Sequence, residues 1–207
     1  SDEVVTAFGR LGHFFASESE FDIVPDIITC AKGLSSGYLP LGATIISDDI
    51  AKVIGKPQAD GALFTHGFTY SGHPVSCAAA LKNIEIIERE NLLQHVNDVG
   101  QYFEDQLHTL VDLDIVGEVR GKKFMMCIEN LANKQTKELF PSSVNVGSRI
   151  ADYCQKDGLI IRPVGHMNIM SPPLILNKQH VDFIVTTLRK AILSTTADLK
   201  REGYLSG

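Results

Sequence analysis

Short runs of β-branched residues alternate with helical patterns along this chain, and no other feature limits its fold as much. Residues 27–31 and 42–47 are apolar runs flanked by Pro and Gly, which is typical of strands. Apolar residues then recur with a helical period over 76–110 and again near the C-terminus, where Asn177 is placed to cap a helix. This alternation predicts an α/β fold.

The pattern changes near residue 112, which predicts a division into one part over 1–111 and a second over 112–207. The second part is expected to contain three strands and a helix before the C-terminal helix. The predicted strands cover 115–119, 123–128 and 159–163, and the predicted helix covers 144–155. At the start of the chain, residues 3–6 are expected to form the end of a strand.

Composition and charge exclude several classes of protein. With 207 residues, of which 44% are apolar, the chain can bury a sizeable core and is not expected to be disordered. No apolar run approaches the roughly 20 residues of a membrane-spanning helix, so no membrane partner is expected. A net charge of -6 without a basic stripe disfavours nucleic acid.

The four cysteines lie far apart, with no C-x-x-C and no spacing typical of metal ligands. They are interpreted as reduced thiols, which predicts a cytoplasmic protein. His66 and His73 frame one loop, but no third ligand follows at a suitable spacing. The sequence therefore predicts no metal site.

Lys32 is the strongest candidate for chemistry that the pattern provides. It lies where the apolar run 27–31 stops and a Gly-containing loop begins, and sites in α/β sheets gather at the carboxyl ends of strands. An amine held against an apolar wall can attack a carbonyl carbon and form a Schiff base. By position alone, a surface lysine at the end of a strand is the alternative.

Three further residues have a functional and a structural interpretation. Asp2 is a possible site carboxylate, or a solvated strand end. Thr69 lies in a Gly-rich loop before a helix and can donate to a phosphate, or can belong to an ordinary first turn. Arg162 can grip a carboxylate in a bidentate manner, or can pair with an Asp or Glu of the chain.

Taken together, these segments resemble the class III aminotransferases of the pyridoxal-phosphate (PLP) fold type I superfamily. The segments that carry the resemblance are DEVVTAFGR at 2–10, PDIITCAKGL at 25–34, PLGA at 40–43, HGFTYSGHP at 66–74, GLIIR at 158–162 and SPPL at 171–174. The resemblance covers only the C-terminal half of such proteins. It implies part of a large domain, with a mixed, mostly parallel sheet and helices, over 1–111, and a small C-terminal α/β domain over 112–207.

The resemblance also implies roles for individual residues. Lys32 matches the lysine that holds pyridoxal 5'-phosphate as a Schiff base and later moves a proton. Asp2 matches the partner of the pyridine nitrogen, and Val4 matches a residue that packs on one face of the ring. Thr69 and the backbone of Phe68 match a contact to the cofactor phosphate of the neighbouring subunit, which implies a homodimer with shared active sites.

Arg162 matches the arginine that binds the α-carboxylate of an amino or keto acid. The implied activity is transamination from an amine or ω-amino acid to a keto acid such as pyruvate. Two alternatives stay open: an aminomutase or decarboxylase of the same family, or a catalytically inactive fragment that needs the missing N-terminal half.

Overall fold

The computed structural model describes residues 1–56 and 63–205. The chain separates into two compact units, Ser1–Leu93 and Gln94–Gly207. The first unit contains two short strands that pair with each other, and the second contains a four-stranded sheet. Strands and helices occur in both units, so the predicted α/β class is confirmed.

In the first unit, a short sheet is followed by a long helix. The elements are α1 (Ala16–Phe21), β1 (Ile27–Cys30), β2 (Ala43–Ile46), α2 (Asp48–Ile54) and α3 (Pro74–Arg89), with a 3-10 turn over Lys32–Leu34. Ile27 pairs with Ile46, and Cys30 pairs with Ala43, so β1 and β2 are antiparallel. The predicted strands at 27–31 and 42–47 are therefore present, each slightly shorter than expected.

The N-terminal residues do not continue a strand as expected. Residues 4–6 form a turn, and only Asp2 pairs with β1, in a parallel bridge to Thr29. The Glu3 amide donates to the Thr29 carbonyl at 2.8 Å, and the Thr29 amide donates to the Ser1 carbonyl at 2.9 Å. The valines at this position suggested a strand, but the chain turns directly after this bridge because Glu3 is held by other contacts, described below.

The second unit packs helices against its antiparallel sheet. Its elements are α4 (Leu92–His108), β3 (Val116–Lys122), β4 (Met125–Asn130), α5 (Val146–Lys156), β5 (Arg162–Val164), β6 (Met167–Met170) and α6 (Lys178–Arg201). The strand order is β3-β4-β6-β5. Phe103 of α4 meets Phe124, in the β3–β4 turn, edge to face, with ring centroids 6.2 Å apart, in a core that also contains Leu107 and Leu188.

Helix α6 begins as the sequence predicts. The side-chain oxygen of Asn177 accepts a hydrogen bond from the His180 amide at 2.9 Å, and the His180 ring accepts one from the Asn177 amide at 3.4 Å. This reciprocal capping box satisfies two amides at the helix start. Val181, Ile184, Val185 and Leu188 then form its buried face.

The mostly parallel sheet that we expected is not what the described strands form. Apart from the bridge at Asp2, the described strand pairs are antiparallel. Only residues 123–124 join β3 to β4, and a link this short permits antiparallel pairing alone, because parallel strands need a long crossover. Arg162 also begins β5, whereas the strand predicted over 159–163 places it near the strand's end.

The predicted boundary near residue 112 falls inside the second compact unit. Helix α4 belongs to that unit because its buried residues, including Val96, Phe103 and Leu107, are part of the second core. The assignment of 1–111 to part of a large domain and of 112–207 to a small C-terminal domain stays a prediction. Among the described helices, none is long and apolar enough to cross a membrane.

Two leucines of α6 provide a matched test of the second core. Leu188 is 0% exposed and Leu193 is 52% exposed. We expect Leu188→Ala to lower the free energy of unfolding by about 2–5 kcal/mol, because it removes buried methyl groups and leaves a cavity. Leu193→Ala is expected to change it by less than about 0.5 kcal/mol. Urea unfolding followed by circular dichroism measures both, and equal losses would contradict this placement of the core.

Candidate active site

Lys32 lies directly after β1, at the first position of the 3-10 turn Lys32–Leu34. Its φ of 37° is in the left-handed region, where a residue with a side chain is strained by about 1–2 kcal/mol. The side chain is exposed and borders a depression of about 340 Å³, lined also by Ser35 and by residues 37–41. In the described parts of the chain, no carboxylate forms an ion pair with its amine.

The turn that begins at Lys32 is held from two sides. The side-chain amide of Asn83, on α3, donates to the carbonyls of Gly33 at 2.8 Å and Leu34 at 3.2 Å. On the other side, a Cβ added to Gly33 would lie 3.0 Å from Cβ of Phe8, which is tighter than ordinary contact. The backbone that carries the Lys32 side chain is therefore fixed at the turn, while the side chain itself is exposed.

Asp2 is bridged to β1, the strand that Lys32 follows. Its bridge partner Thr29 precedes Lys32 by three residues on the chain, so the carboxylate and the amine are both tied to β1, one beside the strand and one just after its end. Asp2 is exposed, and its Oδ1 accepts a hydrogen bond from the Val4 amide at 3.0 Å. Val4 is half-buried beside it.

Glu3 is the residue of this segment that sequence reasoning missed. It is 2% exposed, and its carboxylate accepts hydrogen bonds from the Ala16 amide, from the amide and hydroxyl of Ser17, and from the Thr6 hydroxyl. These bonds satisfy amides at the start of α1 and fix the turn after Asp2. The only signal in the sequence is that Glu3 is a charged residue next to Asp2. That signal does not reveal that the Glu3 carboxylate is buried.

The loop that contains Phe68 and Thr69 precedes α3 by several residues. Helix α3 begins at Pro74 with His73 as its N-cap. The sequence suggested that Thr69 lies at the N-terminus of this helix, but the structure places it before the helix begins. The Ser71 hydroxyl accepts from the Phe68 amide at 3.0 Å, and the Phe68 carbonyl accepts from the Ser71 amide at 2.9 Å. Both bonds close a compact turn that leaves Thr69 exposed.

The first unit brings most of the predicted site residues into one region. Phe68 lines a depression of about 810 Å³, and the depression beside Lys32 shares the segment Leu39, Pro40 and Leu41 with it. Lys32 and Phe68 therefore border two depressions that share one short segment, and Asp2 is linked to Lys32 through β1.

Arg162 belongs to the second unit. It pairs with Ile169 across β5 and β6, and it borders a largely apolar cavity of about 490 Å³. Pro172 and Pro173 form part of the cavity wall. Within residues 1–56 and 63–205, its guanidinium has no ion pair with a carboxylate of the chain.

Metal ligands do not assemble in the described part of the molecule. Over residues 1–56 and 63–205, no group of three or more His, Cys, Asp or Glu side chains is placed to hold a metal ion. The four cysteines are free, and burial raises the pKa of the Cys154 thiol to about 12. A thiol with so high a pKa is a poor nucleophile near neutral pH.

A lysine that follows a strand, with a carboxylate bridged to that strand, is the candidate site of an α/β protein, and comparison with known proteins identifies the family. The chain belongs to the class III aminotransferase family, whose model matches residues 1–192. It is 39% identical over 195 residues to a mitochondrial gamma aminobutyrate transaminase of Solanum lycopersicum, covering 94% of this chain and 38% of the relative.

Solved structures agree on the fold. An (S)-enantioselective omega-transaminase from Thermomicrobium roseum is 38% identical with a TM-score of 0.87, over 94% of this chain and 42% of that one. A PLP-bound amine transaminase from an uncultivated Pseudomonas species is 40% identical with a TM-score of 0.88, over 93% and 44% respectively. The expected PLP fold is confirmed, and the chain spans about two fifths of the length of these relatives.

The buried carboxylate of Glu3 gives the first unit a predictable response to acid. Burial raises the pKa of Glu3, but the hydrogen bonds from Ala16, Ser17 and Thr6 outweigh it, so the pKa lies below its usual value. The stabilisation is therefore complete above the unfolded pKa of about 4.3 and is lost as pH falls through the lower folded pKa.

We expect Glu3→Gln to cost about 1.5–3 kcal/mol of unfolding free energy at pH 7, because a charged acceptor is lost. Below about pH 4 the difference from the wild type is expected to shrink. Urea unfolding at a series of pH values measures this difference. Glu18→Gln, an exposed neighbour on α1, is the control. A difference that is independent of pH would contradict the assigned ionisation of Glu3.

Proposed function

We propose that the protein that carries this chain is a PLP-dependent transaminase, which transfers an amino group from an amine or ω-amino acid to a keto acid such as pyruvate. The observation that carries the proposal is that Asp2 is bridged to β1 and Lys32 directly follows β1, in a chain of the class III aminotransferase family. The relatives include both gamma aminobutyrate transaminases and omega-transaminases, which agrees with a terminal amine as donor.

The residues present fit the cofactor of this family. Class III aminotransferases are PLP-dependent, and their solved relatives include PLP-bound and PMP-bound forms. When bound, PLP supplies an electron sink for the carbon that loses its proton. The Lys32 amine, which has no ion pair among the described residues, suits the aldehyde carbon of PLP. The carboxylate of Asp2 suits the protonated pyridine nitrogen of PLP.

The chain's own groups then have separate tasks. The Lys32 amine would hold the cofactor at its aldehyde carbon and, when free, would move the proton that leaves the donor carbon. Asp2 would keep the pyridine nitrogen protonated, and Val4 would pack on the ring. Loss of the amino group consumes one water and gives a ketone or aldehyde; that amino group, carried on the cofactor, would pass to the keto acid, whose conversion to an amino acid releases one water.

Arg162 is proposed to bind the carboxylate of the keto acid or amino acid. Its guanidinium borders an apolar cavity and has no carboxylate partner among the described residues, which leaves its donors to a ligand. The apolar wall suits the hydrocarbon part of an amine donor.

Phe68 and Thr69 are proposed to contact the cofactor phosphate of a second subunit, in a homodimer with shared active sites. Phe68 is 73% exposed and Tyr70 is 72% exposed, which supports a covered position in an assembly. A cytoplasmic location is proposed from the free thiols, although relatives are named as mitochondrial or chloroplastic proteins.

The decisive variant is Lys32→Ala, in the protein expressed from its complete reading frame. When the wild type is incubated with PLP, pyruvate and an amine donor, it is expected to form alanine. The rate of alanine formation is expected to be at least about 100-fold lower in Lys32→Ala, because the variant lacks the amine that transfers the proton. Alanine is quantified by chromatography. In parallel, borohydride reduction is expected to fix PLP to the Lys32 peptide of the wild type.

Lys52→Ala serves as the control, since Lys52 is an exposed lysine paired with Asp49. Alanine formation by Lys32→Ala at the wild-type rate would refute the assignment. Release of carbon dioxide or an isomerised amino acid, without alanine, would instead favour a decarboxylase or an aminomutase. A protein that binds PLP at no lysine would favour an inactive fragment.

A second variant tests the carboxylate site. Arg162→Met is expected to raise the KM for pyruvate roughly 10- to 100-fold, because hydrogen bonds to a charged ligand are lost, and to leave the KM for an amine without a carboxylate unchanged. Steady-state kinetics with each substrate varied separately measures both. Arg89→Met, at an exposed arginine paired with Glu85 and Glu90, is the control. Equal effects on both substrates would argue against carboxylate binding.

A further inference from the structure

The backbone of Lys32 adopts a conformation that lysine does not choose by itself. Its φ of 37° is in the left-handed region, and Ala31 before it is extended with φ of -162°. An exposed lysine after a strand has no reason to stay in this geometry unless the following residues hold it there. A group that holds the turn after Lys32 would therefore also hold the backbone of the lysine.

Asn83 is that group in the first unit. Its amide nitrogen has two N–H donors, and it donates to two consecutive carbonyls, those of Gly33 at 2.8 Å and Leu34 at 3.2 Å. The contact joins residues about fifty positions apart in sequence. It acts on the two residues that directly follow Lys32 and fixes the direction in which the turn leaves the strand.

Packing alone does not supply this constraint. Leu34 is buried with Ala80 and Ile87, which anchors its side chain, and within the turn the Gly33 carbonyl also accepts a hydrogen bond from the Ser36 amide at 3.3 Å. Backbone bonds from Leu34 to Ala31, at 2.8 Å, and from Ser35 to Lys32, at 3.3 Å, close the turn locally. Only the Asn83 side chain connects these carbonyls to helix α3 in the described contacts.

We infer that Asn83 is a positioning residue for Lys32: its side-chain amide holds the turn Lys32–Leu34 in place, so that the lysine amine reaches the cofactor aldehyde in a defined direction. The inference rests on the proposed function, because it assigns Asn83 a role toward the same amine. Asn83 touches neither substrate nor cofactor in this role.

The variant Asn83→Asp removes both donors while it keeps the size and shape of the side chain, so a packing defect is minimised. Asn83→Ala is the second variant, and Lys82→Gln is the matched control, at a neighbouring exposed position of α3. The first measurement needs no cofactor. Amide hydrogen exchange over residues 34–36 is expected to accelerate about tenfold or more in both Asn83 variants and to stay unchanged in the control.

The second measurement follows the pH dependence of PLP attachment. The protein from the complete reading frame is mixed with PLP and reduced with cyanoborohydride at several pH values, and the modified Lys32 peptide is quantified by mass spectrometry. In both Asn83 variants, the attachment rate is expected to fall about tenfold and its pH profile to move. Asn83→Ala separates this effect from the charge that Asn83→Asp adds, and loss of stability alone would lower the amount of folded protein without moving the profile.

The outcomes separate this inference from the proposed function. Attachment at Lys32 that is equally fast and has the same pH profile in the wild type and in Asn83→Asp would overturn only the positioning role. A wild type that attaches no PLP at Lys32 would overturn both. Accelerated exchange together with a shifted profile, in both Asn83 variants and not in Lys82→Gln, would establish the role.

Discussion

The parallel backbone bridge between Asp2 and Thr29 is the contact on which the candidate site depends. It attaches the N-terminal residues to β1, so that a carboxylate and an amine that are thirty positions apart in sequence are both anchored to this strand. Glu3 then turns the chain toward α1 through buried hydrogen bonds, which prevents the N-terminus from sliding along the strand. A bridge of two backbone hydrogen bonds is weak alone, and the buried carboxylate supplies the remaining constraint.

The two units build their structure differently. In the second, α4 and α6 present continuous apolar faces to a four-stranded sheet, and large side chains such as Phe103 and Leu188 are fully buried. In the first, the core is smaller, and all four residues of β2 are exposed. The site residues therefore rest on hydrogen bonds and close backbone contacts, at Glu3, Gly33 and Asn83, more than on a large hydrophobic core.

Much of the local structure could be predicted from periodicity. Strands β1 and β2, the capped start of α6 and the helix α5 follow from residue type and spacing, because these signals act over a few neighbouring residues. The strand expected at residues 3–6 did not form. The buried hydrogen bonds of Glu3 hold the chain in a turn there, against the strand preference of Val4 and Val5. The antiparallel pairing was also missed, because alternation along the chain does not specify which strands meet.

The sequence by itself determined the α/β class, the family and the identity of the candidate residues, since short motifs such as those around Lys32 and Asp2 are carried by the chain directly. Tertiary structure alone decided which of these residues are anchored to the same strand, and which other residues hold them in place. Burial of Glu3 and the reach of Asn83 depend on contacts between segments far apart in sequence. Local patterns carry no record of such contacts, because hydrogen bonds across long loops are fixed only when the whole unit has folded.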